Sequence, residues 1–515
     1  SEENMAQKCE GGPRVSGQKN TSSLEGKVFT RAQVATHTTL EDRIWVTYQD
    51  GVYDITEFIA NHPGGSDKIR LAAGKAIDPF WRIYQQHLNT AYPKEVLDGM
   101  KIGTLDPAEP KVEMDASDPY ASDPDRHPGL LFHNTKPCNA ELPRELQIEN
   151  WCTPSPLWFI RHHHPVPVVD AETYRLTIDC SQINTPPLSL TLKDLKERFN
   201  STTVTTTIQC GGNRRDGFNP IAKTSGIPWG FGAVSTAKWT GVLLRDVLLY
   251  SGHLTPQLAE AGAVQHIQFK AIDGLEASIP IEKALNPYGD TLLAFEMNDE
   301  PLPPEHGYPV RVVVPGHVGV RNVKWVSDIV ASSEEAEGPW QRGIAYKGFA
   351  PGVKDFKDVD ISKVLSMQDT PVQSLIVEPG NGYKLVVDED DEDDETVTLK
   401  GWAWSGGGRG IVRVDVTNDN GVSWHTAELL DGKDQNPLRA WAWTFWEAEV
   451  PIPEGSAEKG FAEFHCRATD ASYATQPEKA ECIWNLRGLN NTSWHKITVQ
   501  VTHESDDDDD DADEE

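Results

Sequence analysis

The spacing of apolar positions changes several times along the 515-residue chain, and each change marks a boundary. Residues 1–26, with EGGPRVSGQKNTSS at their heart, are polar and glycine-rich and predict a flexible arm. From Lys27 to Leu105 short apolar runs and a helical spacing predict a first small α+β unit. The proline-rich, acidic stretch DPAEPKVEMDASDPYASDPDRHPG follows and predicts an extended linker over 106–129. Over 130–367, runs such as VRVVVPG mix with the helical patterns LKDLKERF and WTGVLLRDVLLYSG, as expected of a mixed α+β domain of roughly 240 residues. From 368 to 503 the pattern becomes that of strands. Val412, Val414 and Val416 alternate with Arg413 and Asp415, and turn signals recur about every dozen residues, which predicts an immunoglobulin-like β-sandwich. The SGGGRG at 405–410 lacks the Lys-Ser/Thr ending of a phosphate loop and reads as a hairpin turn between strands. The whole is a multidomain α+β chain.

Composition narrows the choice of partners. Mean hydropathy is −0.49 and no apolar run approaches the roughly 18 residues of a membrane helix, so no membrane span is expected. The chain opens on Ser1, which begins nothing like a signal peptide and suits a processed chain whose targeting segment has been removed. The net charge of −32 is concentrated: Asp388–Glu395 carries eight negative charges and Asp506–Glu515 nine. These read as a solvated loop and, over 504–515, a disordered acidic tail. Such acidity argues against nucleic acid, whose phosphates need basic surface. Seven cysteines without regular spacing or a CxxC pair argue against a disulfide framework and structural zinc.

Two stretches concentrate candidate chemistry. TIQCGGNRRDGF places Cys210 after a β-branched run and before two glycines, an asparagine and two arginines. Arginine beside a thiol favours the thiolate and holds anions, so Cys210 is a candidate nucleophile or metal ligand, with a buried structural cysteine as the plain alternative. In the first unit, NHPGGSDKIRLAAG holds His62 and FWRIYQQHLN holds His87, 25 residues on. Pro63 fixes the turn, and Gly64 and Gly65 let backbone approach a flat ligand.

The stretches RIWVTYQDGVYDITEFIANHPGG, DPFWRIYQQH and MKIGTL together resemble a cytochrome b5 domain. That resemblance implies His62 and His87 as axial ligands of a b-type haem, which with two imidazoles would carry single electrons rather than bind oxygen. The first unit is formally neutral, with nine Lys+Arg and nine Asp+Glu, so steering of a basic partner is expected from Asp50, Asp54 and Glu57 or from the tail.

Further along, WFIRHHHPVPVVD, QCGGNRR, SGIPWGFGAVSTAKW, LLAFEMND, LPPEHGYPVRVVVPGHVGVRNVKW and YKGF resemble, in order, the molybdopterin domain of the sulfite oxidase family and its relative, plant nitrate reductase. GWAWSGGGR, RAWAWTFWE and IWNLRG resemble the dimerisation domain of the same family. The resemblance spans about 27–503. It implies Cys210 as the protein ligand to molybdenum, with Arg161, Arg215, Trp229, Tyr346 and Arg487 at the substrate pocket. Phe159, Ile160, Arg161, His162, His163, Asp273, His306, Arg311, Asn322, Val323 and Lys324 match positions around the pterin and its phosphate. Three guanidiniums around a small oxyanion suit a dianion. The resemblance thus implies oxidation of sulfite to sulfate, electrons passed through haem to cytochrome c, a homodimer formed by the β domain, and the mitochondrial intermembrane space.

The consecutive histidines of RHHH suggest a metal cluster, yet on an extended segment they point to opposite faces, so zinc is the weaker reading. Two departures from the family pattern stand out: Ser225 occupies a lysine position, with Lys223 two residues earlier, and Ala345 occupies the usual aspartate position before Tyr346. Nitrate reductase is disfavoured because its haem domain follows the molybdenum domain and a flavin module is added. A catalytically silent haem-and-pterin redox sensor is the third reading.

Overall fold

The computed structural model describes residues 27–63, 69–70, 72–78, 81, 91–107, 118–127, 130–250, 254–257, 262–387 and 396–503. The arm, His87, Gly64 and Gly65, half of the expected linker and both acidic runs therefore lie outside the described residues. The chain divides into two compact units, Ser1–Ala121 and Ser122–Glu515.

In the first unit, strands Lys27–Phe29, Lys101–Leu105, Gly51–Asp54 and Trp45–Tyr48 lie side by side in that order, the outer Lys27–Phe29 parallel to its neighbour. Thr30 and Gln33 form a capping box that starts helix Arg31–Thr36, satisfying amides that the first turn leaves without partners. Ile44, Val46, Tyr53, Ile55, Ile59 and Trp81 share the core. His62 ends the 3-10 helix Thr56–Asn61, with Phe58 edge-on to its ring at 5.8 Å. The steering cluster expected at Asp50, Asp54 and Glu57 is thinner than its sequence. Asp54 is largely buried, bonds Thr56 and pairs with Arg43, which also reaches Glu57 at 3.3 Å. A carboxylate so neutralised adds little to a long-range field.

The second unit joins two regions. One sheet runs Ser201–Gln209, Val234–Leu243, Leu292–Met297, Glu300–Pro301, with Arg311–Val313 also on Leu292–Met297. A second runs Glu276–Pro280, His266–Ala271, Val326–Ser332, Leu176–Asp179, Leu188–Leu190. A three-stranded sheet is made of Leu131–Thr135, Cys138–Glu141 and Ile160–Arg161. LKDLKERF is helical over Leu192–Arg198, begun by a Thr191–Asp194 capping box. Among its described residues, WTGVLLRDVLLYSG is α-helical only from Leu244 to Leu249. Trp239–Leu243 finishes the ten-residue strand Val234–Leu243, because pairing on both sides outweighs local helical spacing.

The remaining strands form two sheets facing across an apolar core of Val414, Val416, Trp446, Phe464, Ile497 and neighbours. Two readings of this region change. Val412 is 45% exposed, because the register slips between Ile411 and Arg413 and turns it out of the alternation that buries Val414 and Val416. SGGGRG is no hairpin: Thr396–Trp404 pairs within one sheet and Ile411–Thr417 within the other, so the loop crosses between sheets. At this crossing Gly406 donates to Thr370 O, and a side chain on Gly316 would strike Gly406 O. The glycines are needed where the two regions touch.

Candidate active site

The segment Trp158–His164 shows how alternation builds the site. Ile160–Arg161 pairs with Asn139–Ala140, and the chain continues extended. Phe159, Arg161 and His163 face one cleft, while Ile160 is buried away from it with Leu130, Cys138 and Ala140. His162 also turns away: its Nε2 lies 3.0 Å from Glu305 and its Nδ1 2.7 Å from Lys324 Nζ. His164 lies 3.4 Å from Asp273. The three histidines therefore do not share one site, and no metal-holding cluster of His, Cys, Asp and Glu occurs among the described residues.

Cys210 closes strand Ser201–Gln209 and lines the cleft, with its amide bonded to Ala233 O and its sulfur accepting from Gly212 N at 3.5 Å. Asn213 anchors the following loop by accepting from Ala233 N at 3.0 Å. The two arginines then part. Arg214, in the left-handed region at φ 62°, donates to Ser493 O and Trp494 O and ties the loop to the sandwich. Arg215 threads between Gly212, Gly226 and Gly488, where any Cβ would come within 2.8 Å of it. It donates to the carbonyls of Ile227, Arg487 and Gly488. These carbonyls aim the guanidinium without neutralising it.

The same neighbourhood gathers residues from distant stretches. Burial lowers the Arg215 pKa; Cys210 and Tyr346 push it up, and Arg161 and Arg487 push it down further. Burial likewise lowers Arg487 and raises Tyr346, the latter helped by Cys210. Thus Arg161, Arg215, Arg487 and Tyr346 are electrostatic neighbours of one another and, through Arg215 and Tyr346, of Cys210. The structure also answers for the two departures. The Ser225 hydroxyl accepts from Arg487 Nη1 at 3.1 Å, whereas Lys223 is exposed. Ala345 packs among Val318, Val320, Trp340 and Tyr346.

The cleft itself is cationic. Arg161, Arg311 and Lys324 line it against one carboxylate, Asp273, together with His163, His306, Asn322, Val323 and Tyr346. Arg311 donates to the carbonyls of His306 and Asn322, and no carboxylate pairs with it among the described residues. Burial pushes its pKa down to about 9 and that of Lys324, with Arg311 adding to the effect, down to about 7. His306 is pushed by burial down to about 3 and stays neutral. Buried cations without matching carboxylates are costly unless an anion completes them. A soft sulfur at one edge and uncompensated cations along the wall fit an anionic dithiolene-pterin bearing a phosphate.

Trp229 stands apart from the cleft wall. It is fully buried beside Cys210's apolar neighbours, with His133 edge-on at 4.9 Å, and its indole Nε1 finds no partner among the described residues. Trp158, Ile208, Leu275, Gly319, Val320 and Trp325 also line the cleft. Arg321, fully buried, supports Tyr346 at one remove: it donates to Trp340 O and Met367 O, while Met367 N donates to Tyr346 O. None of these carried a local signal: an apolar residue that meets a ligand and one that meets the core look alike in sequence.

A cysteine in a cation-lined cleft, a C-terminal β-sandwich and an N-terminal histidine-bearing unit are the parts of a molybdopterin oxidoreductase fused to a haem domain. Residues 163–340 match the oxidoreductase molybdopterin binding domain, 364–502 the Mo-co oxidoreductase dimerisation domain, and 30–106 the cytochrome b5-like heme/steroid binding domain. Mitochondrial sulfite oxidase of Homo sapiens is 45% identical over 92% of this chain and 85% of its own. Sulfite oxidase of Gallus gallus is 45% identical over 91% of this chain and 99% of its own. The chain belongs to the sulfite oxidase family. Among solved structures, the sulfane dehydrogenase SoxCD of Paracoccus pantotrophus matches at TM-score 0.56 and 25% identity, covering 77% of this chain and 97% of that one.

Proposed function

We propose that this protein oxidises sulfite to sulfate, water supplying the added oxygen, and delivers the two electrons singly to cytochrome c in the mitochondrial intermembrane space, as a homodimer. The observation that carries this reading is that Cys210, Arg161 and Tyr346 line one cation-walled cleft, with Arg215 the electrostatic neighbour of all three and of Arg487. When bound, the molybdenum-pterin supplies a two-electron oxidant and the haem a one-electron carrier.

The chain's own residues do the rest. Cys210 holds the metal through a soft thiolate, and Arg311, Lys324, His306 and Asp273 hold the pterin and its phosphate. Arg161, Arg215 and Arg487 bind the oxyanion, the second of them pre-aimed by three carbonyls, so that little reorganisation accompanies charge transfer. Tyr346, its pKa raised by burial, keeps its proton and offers it as a hydrogen bond to an oxyanion oxygen. His62 and His87 hold the haem.

Sulfite-dependent reduction of cytochrome c tests the reading. Cys210→Ser is expected to lose that activity by far more than tenfold while retaining the haem spectrum, because hydroxyl oxygen is a poor substitute for soft sulfur. Turnover within about tenfold of the parent removes Cys210 from the metal. A parent that loads both cofactors yet leaves sulfite untouched is a silent redox sensor.

A further inference from the structure

Arg126 was read as part of a linker, yet its side chain is largely shielded from solvent and paired with two carboxylates. Its Nε donates to Glu305 Oε1 at 2.6 Å and its Nη2 to Asp123 Oδ2 at 2.8 Å; the three side chains are 12%, 10% and 8% exposed. Asp123 in turn accepts from Val166 N at 3.0 Å. On the other side of Glu305, the same Oε1 lies 3.0 Å from His162 Nε2, and His162 Nδ1 lies 2.7 Å from Lys324 Nζ. Lys324 also donates to Glu305 O at 3.1 Å and lines the cleft.

The proton positions follow from what each group can do. An ammonium only donates, so His162 Nδ1 accepts and Nε2 carries the hydrogen given to the carboxylate. A neutral imidazole is required, and burial first, then Lys324, holds the His162 pKa well below its ordinary value. The chain of contacts is Asp123, Arg126, Glu305, His162, Lys324, alternating in charge up to the neutral imidazole.

We propose that Arg126, on the segment entering from the haem domain, is a positioning residue of the pterin-phosphate site: by pairing with Glu305 it keeps His162 free to hold Lys324 toward the anion. This rests on the reading that an anionic pterin occupies the cleft. Without Arg126, the Glu305 carboxylate is unpaired within hydrogen-bond reach of His162. It then repels the anion and draws a second proton onto His162, which turns Lys324 away. Linkage makes the effect mutual, so an anion that engages Lys324 also steadies the anchored segment.

Equilibrium dialysis of free molybdopterin against cofactor-free full-length chain, read by pterin fluorescence, tests this without turnover. Arg126→Gln should weaken binding about tenfold, the loss usual for outer partners of a bound group, and Arg126→Lys should recover part of it. The decisive variant is the pair Arg126→Gln/Glu305→Gln. Removing the orphaned carboxylate should restore most of the affinity, whereas a merely structural role predicts a double mutant at least as weak as the single one. Amide exchange at Val166, whose N–H is held by Asp123, should slow on pterin binding to the parent. Unchanged affinity in Arg126→Gln, or no recovery in the double mutant, overturns the proposal while leaving parent binding, and hence the cleft's assignment, intact. Failure of the parent itself to bind pterin overturns the cleft's assignment instead.

Discussion

At the scale of single residues, what the sequence made legible was placement: Cys210 with its glycines and arginines comes to the cleft, and the alternation of the histidines sends His163 there and His162 and His164 elsewhere. What stayed hidden was the second partner of each charge. Nothing in SGIPW shows that Ser225 bonds Arg487, 262 residues away. That bond decides between the two cations near the missing lysine. Lys223 is exposed and screened within about 8 Å at physiological salt, so Lys223→Ala should leave KM for sulfite within about twofold. Ser225→Ala frees Arg487 from its acceptor and should raise KM more than it lowers kcat, which steady-state kinetics of the two variants would separate. Lys324 sets a pH dependence of its own. Its pKa in the cofactor-free fold is about 7, and a bound phosphate raises it, so binding takes up a proton between that value and the ordinary 10.5. Pterin affinity should therefore fall as pH climbs from about 7 toward 10, and Lys324→Gln should flatten that fall in dialysis at about pH 6.5 and about pH 9. The stability of the empty fold runs the other way across the same window, since the unfolded chain holds the extra proton.

At the scale of elements, the helical spacing of LKDLKERF and apolar alternation foretold the helix Leu192–Arg198 and most of the sandwich, because those signals act within a few residues. The bulge at Val412, the strand end inside WTGVL and the sheet-to-sheet loop at 405–410 were not legible, since each depends on what lies across the ladder. One such cross-element contact has a measurable weight. The Glu141 carboxylate, at the end of strand Cys138–Glu141, accepts from Gly230 N and Gly232 N at 2.7 Å each and so fixes the segment that follows Trp229. Glu141→Ala leaves two amides without partners and should cost about 3 kcal/mol or more, whereas Glu141→Gln keeps one good acceptor and should cost less. Scanning calorimetry that resolves the two compact units should show the larger one melting earlier and the haem unit unmoved. Equal melting of both variants and the parent would mean that the staple is replaced by water.

For the whole molecule, the order of parts was legible because composition shifts abruptly where one core ends and the next begins. The anchoring of Asp123 and Arg126 was not, because proline-rich acidic sequence gives no hint of a partner 179 residues away. This changes what the connecting stretch is free to do. Residues up to Ala121 cluster with the first unit, and from Ser122 the chain belongs to the second, so the linker expected over 106–129 is divided between the two units. Deletions within 108–117 should slow sulfite-driven haem reduction in stopped flow, since a carrier that serves two partners needs reach, and should leave sulfite KM with a small direct acceptor unchanged. A deletion that instead removes Asp123 to Arg126 should disturb pterin retention as well, because it opens Glu305 toward His162. Haem reduction that keeps the parent rate through several deletions within 108–117 would show that electron transfer needs no motion of the connecting stretch, and the two cofactors would then work at a fixed separation.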